Sequence, residues 1–312
     1  MAVALGFGQA FPLNNKKAPE SQADLLAIQN ALHAAIPKAK MATVCIDLGD
    51  GTGSGVIVSA DGLVMTAAHV STGVGKKVTV IMPDGKKLKA KSLGLMAETD
   101  AALVKILDDG PFPFVEVNRT NDTKLGDWIF SLGHSGGFNL ERGAVARLGR
   151  LVRVANTTIQ TDGTLIGGDS GGPLFDMQGS LIGIHSRVGP QLPVNMHVPV
   201  RVFLEGWDQL LKSEFVGEGP FARKPEKGKG FLGVATKDVS GGLEITKVGK
   251  KSPAEEAGMK EGDILLTLNG IRLETRLGMK GILAEMAEGE ELVFEIKRDG
   301  KNETIELQLG AR

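Results

Sequence analysis

The sequence predicts a mainly β chain of two domains, a barrel or sandwich followed by a small mixed α+β unit. Three observations carry this. From about Lys40 to Val200, short apolar runs alternate with Gly, Asp and Asn turns, without regular helices between them. Glycine is abundant, at 43 of 312 residues, which suits a turn-rich chain. Residues 217–230, GEGPFARKPEKGKG, have little to bury and read as a linker between the two parts.

The elements follow in order. Residues 1–20 form an N-terminal segment. Its start, MAVALGFGQA, is apolar and ends in small residues, as the tail of a signal peptide cleaved after Ala10 would. The basic start of such a signal is missing, so a loose terminus is the other reading. The first reading makes the protein periplasmic or otherwise exported. Ser21-Gln22-Ala23-Asp24 is a helix-capping pattern. Leu25, Ile28, Leu32 and Ile36 follow at helical spacing, and Pro37 is expected to stop the helix. Strand-like runs include Met41–Leu48, Leu63–Ala67, Ala102–Ile106, Trp128–Leu132 and Leu181–His185. Val200, Phe203, Leu204, Trp207, Leu210 and Leu211 make one helical face that closes the first domain, 21–216. The linker, if flexible, spans about 20 Å. Residues 231–312 are the second domain.

Composition excludes several roles. Thirty-six basic and 37 acidic residues nearly cancel, which argues against nucleic-acid binding. No stretch approaches the roughly 20 apolar residues of a membrane span. The single cysteine, Cys45, permits no internal disulfide and sits in a strand-like apolar run, where it reads as buried. Five histidines, His33 and His134 among them, show no metal-ligand spacing, so no metal and no cofactor is expected. Gly51-Thr52-Gly53-Ser54-Gly55 lacks the Lys of a phosphate loop and reads as a turn leading into a strand.

Acyl transfer by serine needs a base, an acid that orients the base, and donors for the oxyanion. The first domain has candidates for all three. Ser170 lies in Gly168-Asp169-Ser170-Gly171-Gly172-Pro173, where glycines let backbone approach a substrate carbonyl. The amides of Gly168 and Ser170 are the candidate oxyanion donors. His69 ends the run Met65-Thr66-Ala67-Ala68-His69, and Asp100 precedes the apolar Ala101-Ala102-Leu103. Each alone has a bland reading as a turn, cap or packing residue. Their occurrence together, in the order His, Asp, Ser and in a β-rich domain, favours the catalytic reading. The string around Ser170 also fits the G-x-S-x-G elbow of α/β-hydrolases. That fold needs strand–helix alternation and the acid and His after the Ser, which this chain lacks.

The strings GSGVIVSADGLVMTAAHV, TDAALVKI and QTDGTLIGGDSGGPLF resemble the His, Asp and Ser segments of chymotrypsin-fold proteases, and more narrowly of the HtrA/Deg family. The resemblance covers roughly residues 20–310. It implies a chymotrypsin-like double β-barrel with the site in the cleft between six-stranded barrels. Asp169 departs from the Asn usual in the family pattern. Gly183-Ile184-His185-Ser186-Arg187 resembles the strand that pairs with substrate backbone. Leu165, Ile184 and Ser186 are then expected around the primary pocket, with Thr164 at its floor. A neutral floor argues against strict Lys/Arg preference and for small or medium apolar side chains. His185 and Arg187 either tune specificity or face solvent.

Phe231-Leu232-Gly233-Val234, Ser252–Met259 and Gly262-Asp263-Ile264-Leu265 resemble an HtrA-type PDZ domain. The first string would present amides to a peptide's C-terminal carboxylate, with helix residues Ile282, Leu283 and Met286 completing the groove. The resemblance implies a serine endopeptidase acting on unfolded or damaged proteins, with unfolded polypeptides and peptide C-termini as partners. It also implies a homotrimer joined through N-terminal contacts such as Phe7 and Phe11. A chaperone on a protease scaffold, or a processing protease with one substrate, are the alternatives.

Overall fold

The computed structural model of the chain describes residues 11–49, 51–120, 122–189 and 194–311. The apolar start with Phe7 and Ala10 lies outside the described residues. The chain divides into two compact units, the first ending at Arg223 and the second beginning at Lys224.

The first unit opens with a turn over Pro12–Asn15 and helix α1, Gln22–Ala42. Ser21 caps it, its Oγ accepting from the Asp24 amide at 3.2 Å. The helix does not stop at Pro37. Pro37 lies on the exposed face, as does His33 one turn earlier, so water can satisfy the carbonyl the proline leaves unpaired. Phe11 is buried in this unit's own core and so is not free to anchor a neighbouring subunit, contrary to the expectation above.

Strands β1 (Thr43–Asp47), β2 (Thr52–Ile57), β3 (Leu63–Ala67), β4 (Lys77–Ile81), β5 (Lys87–Met96) and β6 (Ala101–Ile106) follow, with the single turn α2 (Ala68–Ser71) after β3. They pair in the order β5-β4-β1-β2-β3-β6, and β5 meets β6 to close the barrel. The Gly51–Gly55 run is largely strand rather than turn. A Cβ at Gly53 would come within 2.5 Å of Val70, and one at Gly55 within 2.7 Å of Val64. These glycines admit close packing. Cys45 is fully buried in β1, and burial pushes its thiol up to about 11.

The second barrel comprises β7 (Trp128–Gly133), β8 (Val145–Val154), β9 (Ile159–Thr161), β10 (Pro173–Asp176), β11 (Leu181–Val188) and β12 (Asn195–Pro199), closed in the order β10-β11-β12-β9-β8-β7. One apolar cluster runs through both barrels, joining Val44, Val64 and Leu103 to Phe130, Phe175 and Phe203. Phe130 and Phe175 stack with centroids 4.9 Å apart. His185 and His197 are buried inside the second barrel, Nδ1 to Nδ1 at 2.9 Å, and His197 Nε2 meets Thr161 Oγ1 at 2.8 Å. Desolvation, then the charge of Arg147, lowers the His185 pKa to about 3, and burial holds His197 well below its ordinary value.

The predicted closing helix is two short ones, α3 (Val200–Glu205) and α4 (Trp207–Leu211). They break at Gly206, where any Cβ would clash with the Met96 side chain. Strand β13 (Phe215–Val216) then pairs in parallel with β5. The expected flexible tether is tied down at both ends. Phe221 donates its amide to the Ala97 carbonyl at 3.2 Å and packs with Phe215 against Ala68, Leu95 and Ala102. Gly228 donates to the Met286 carbonyl in the second unit. One half-buried aromatic outweighs the polar average of its surroundings.

The second unit has strands β14 (Gly230–Phe231), β15 (Val234–Val239), β16 (Gly242–Val248), β17 (Ile264–Leu268), β18 (Ile271–Arg272), β19 (Glu291–Arg298), β20 (Lys301–Gln308) and β21 (Gly310–Ala311). The main sheet runs β15-β16-β17-β19-β20. Helices α5 (Pro253–Glu256) and α6 (Arg276–Ala284) are capped by Ser252 and Thr275. Leu243, Leu265, Phe294 and Ile296 centre the core.

Two outcomes are expected. Phe130→Ala costs about 3–5 kcal/mol. It shows as a lower urea midpoint in the fluorescence of Trp128 and Trp207, both in the first unit. The buried imidazoles have folded pKa values below the unfolded one, so the unfolded chain binds more protons in acid. Their contribution is complete above about pH 6.5 and falls away as pH drops towards 3, on the order of 1 kcal/mol per pH unit per group. Ring resonances of His185 and His197 that titrate near pH 6.5 in an NMR experiment contradict this.

Candidate active site

The register of the first barrel brings His69 and Asp100 together. Ala67, the last residue of β3, pairs with Ala101, the first of β6. One short step past each end lie α2, carrying His69, and the turn carrying Asp100. Asp100 has φ +66°, and its carbonyl accepts from the Ala68 amide at 3.1 Å. Its carboxylate is fully buried. Oδ1 accepts from the His69 amide at 3.1 Å and lies 2.9 Å from His69 Nδ1, and Oδ2 accepts from Ser186 Oγ at 2.6 Å. A carboxylate only accepts, so Nδ1 carries the proton and Nε2 is the basic edge.

Ser170 comes from the second barrel, on the loop between β9 and β10. Its Oγ donates to the Ser186 carbonyl at 3.3 Å. Gly168 and Gly171 have φ of +91° and +84°, and a Cβ on either would strike backbone of the neighbouring segments. Ser54 of β2 ties the loop to the first barrel. Its amide donates to the Ser170 carbonyl at 2.7 Å. Its hydroxyl donates to the Gly168 carbonyl at 2.8 Å and accepts from the His134 amide at 2.9 Å. The amides of Gly168 and Ser170 donate to no group among the described residues. Unpaired donors beside a hydroxyl are the arrangement an oxyanion requires.

A cleft of about 390 Å³ opens beside Ser170, bounded by His69, Leu165, Ser186, Arg187 and Phe221. Leu165 and Ser186 are among its lining residues. Thr164 and Ile184 are not among its lining residues. Thr164 is exposed, and Ile184 is fully buried in the core between the barrels. Just beyond Ile184, β11 carries a β-bulge. His185 pairs with His197 and Arg187 with Met196, leaving Ser186 as the extra residue. Period-two alternation fails there, and Ser186 is re-aimed at Asp100. Past Pro173, where β10 begins, Ser186–Val188 run beside the Ser170 loop with one ladder edge open, whereas Gly183 and Ile184 are paired on both sides. His185 is buried, which removes the solvent-facing reading for it. Arg187 is exposed and stacks over Phe221, 4.8 Å from the ring centroid. Sequence reasoning missed Ser54, the inter-residue role of Ser186, and Phe221. The only textual signal was a serine between glycines and an aromatic in a polar stretch.

In the second unit, Gly233 has φ +89°, and a Cβ there would collide with Ser252. The amides of Leu232 and Gly233 donate to no group among the described residues, and β15 is an edge strand. Val234, Ile282, Leu283 and Met286 are half-buried against the core. Met286 lies just beyond the end of α6 rather than on it. Among the described residues no three metal-ligating side chains gather, and no helix is long and apolar enough to cross a membrane.

The trypsin-like peptidase domain family matches residues 53–184, and the PDZ domain family matches residues 230–309. Probable periplasmic serine endoproteases described as DegP-like are similar in sequence. The one from Marinomonas sp. is 35% identical over 280 residues, 83% of this chain and 57% of its own length. The one from Pseudomonas fluorescens is 31% identical over 279 residues, 83% of this chain and 56% of its own. The chain thus spans little more than half the length of these relatives. Among solved structures, the HtrA-type protease AlgW with decapeptide aligns over 91% of this chain and 98% of its own, at 22% identity and TM-score 0.51. The serine endoprotease from Yersinia pestis aligns over 95% and 99%, at 23% identity and TM-score 0.51. At this identity the structural likeness speaks for the fold, a chymotrypsin-like double barrel followed by a PDZ-like unit. Taken with the two matched domains in their order along the chain, the sequence relatives establish that the chain belongs to the HtrA/Deg family of trypsin-like peptidases with a PDZ domain.

Proposed function

We propose that the protein is a serine endopeptidase that cuts unfolded polypeptides, with Ser170 as nucleophile, His69 as base and Asp100 as the group that orients the base. The observation that carries this is the meeting of Ser170 and the tautomer-fixed imidazole of His69 at one cleft, with the amides of Ser170 and nearby Gly168 unpaired among the described residues. Attack begins when the Ser170 hydroxyl turns from the Ser186 carbonyl towards His69 Nε2, which takes its proton as Oγ bonds to the scissile carbonyl carbon. The amides of Gly168 and Ser170 meet the oxygen as it gains charge. His69 then gives the proton to the leaving amine. Water, activated by the same imidazole, releases the acyl group.

The open edge of Ser186–Val188 suits an extended substrate added as a strand, which favours unfolded chains over folded ones. Leu165 in the cleft wall suits small or medium apolar side chains, and the Arg187 guanidinium at its rim disfavours Lys and Arg. In the second unit, the free amides at Leu232 and Gly233 suit a peptide carboxylate. The peptide would add beside β15, its last side chain among Val234, Ile282, Leu283 and Met286. A periplasmic or otherwise exported setting, as in the relatives' names, and a homotrimeric assembly belong to the same reading.

Ser170→Ala should lower turnover of unfolded casein by about 10⁶. Equal cleavage by both proteins rejects the assignment. In the inactive variant, calorimetric titration should show a peptide with a free C-terminus binding at least about tenfold tighter than its C-terminal amide, as loss of a charge-assisted contact implies. Equal affinities reject the carboxylate site.

A further inference from the structure

Asp169, between the two free amides, is fully buried, and a carboxylate there needs partners. The loop wraps around it. Its Oδ2 accepts from the Ile166 amide at 2.9 Å, its own amide donates to the Ile166 carbonyl at 3.1 Å, and its carbonyl accepts from the Gly172 amide at 2.8 Å. The turn that the two Ile166 bonds close, 166–169, has the peptide plane bearing the Gly168 amide at its centre, and the plane that follows Asp169 bears the Ser170 amide. The side chain of Asp169 therefore fixes the direction in which those amides point.

The charge is met from the barrel wall. Arg147 Nη2 lies 3.0 Å from Asp169 Oδ2 and donates to Ser135 Oγ at 2.7 Å, while Ser135 Oγ donates to Asp169 Oδ1 at 2.6 Å. Arg147 sits on β8, opposite Ser131 in an unbroken β7–β8 ladder. Gly133 makes room, since a Cβ there would lie 2.5 Å from Asp169 Oδ1. Three segments thus converge on one carboxylate, and the cation is part of a rigid sheet.

We infer that Arg147 is a positioning residue for the oxyanion site: by neutralising Asp169 from the barrel wall it holds the 166–172 loop with the Gly168 and Ser170 amides turned into the cleft. This rests on the reading of Ser170 as the nucleophile. An acid at position 169, in place of the Asn of the family pattern, makes the cation necessary, because an amide carries no charge to neutralise. The guanidinium touches no substrate and moves no proton. Its effect is on the energy of one loop conformation against those in which the amides turn away.

The test uses the full chain and a short peptide p-nitroanilide with a small apolar residue before the scissile bond. A fluorophosphonate titrant counts reactive Ser170. Arg147→Met should lower kcat about 100-fold, the scale of losing one oxyanion donor, with KM changed less than about threefold. Affinity for a peptide boronate, which places an oxygen in the oxyanion site, should fall in parallel, while that for the unreactive peptide stays. Arg147→Met/Asp169→Asn should regain at least about tenfold of the lost kcat, because no buried charge remains. Should Arg147→Met fail to fold, the double variant and Arg147→Lys carry the test. The lysine variant should lose about tenfold in kcat at an unchanged melting temperature. The inference is overturned if folded Arg147→Met, or Arg147→Lys in its place, keeps wild-type kcat per titrated site. It is also overturned if boronate and unreactive peptide lose affinity equally. Ser170→Ala runs alongside: turnover retained there refutes the nucleophile itself. An inactive Ser170→Ala with an unimpaired Arg147→Met refutes the role of Arg147 alone.

Discussion

A buried carboxylate cannot be left without partners, and much of the first unit is arranged around that constraint at Asp100. An isolated ionised carboxyl in a protein interior is unstable or becomes protonated. Asp100 escapes this because its partners come from separate parts of the chain. The turn α2 that follows β3 supplies the His69 amide and ring, and the bulge of β11 supplies the Ser186 hydroxyl. The first two partners belong to one barrel and the third to the other. The packing of two closed barrels against each other and the orientation of one imidazole are therefore a single structural fact.

The same economy appears at Ser54. One residue of β2 meets the Ser170 carbonyl, the Gly168 carbonyl and the His134 amide. Its side chain can do so because Gly53 and Gly55 let the strand lie close to its neighbours. The loop that carries Ser170 is thus fastened to the first barrel through its backbone, while the Ser170 hydroxyl keeps one 3.3 Å bond to the Ser186 carbonyl and the amides of Gly168 and Ser170 have no partner among the described residues.

Much of this was legible in the sequence, and the reasons for success and failure are physical. Strand runs were readable because half-buried strands alternate and end in glycine turns. His69 and Asp100 stood out because each lies at the end of such a run, and Ser170 because glycines flank it. The misses occur where one contact overrides a local average. Pro37 was read as a stop, but its exposed face lets the helix continue. Phe221 sat in a polar stretch that looked like a tether, but it finds an apolar recess. Ile184 and Thr164 were placed at the pocket by resemblance alone, and neither lines the cleft; nor was the extra residue in β11, which turns Ser186 towards Asp100, foreseen. Bulges of this kind leave no mark in composition. Met286 was assigned to a helix that ends just before it.

Cys45 has a consequence of a different order. It is the sole thiol in the chain, lies at the centre of β1 with no exposed surface, and holds its proton into strongly alkaline solution. Electrophiles react with thiolates, so thiol-alkylating reagents and thiol oxidants do not modify this sulfur while the barrel is closed. The rate at which this sulfur becomes modified is a clock for opening of the first barrel, one that ticks independently of proteolysis and of anything the second unit does.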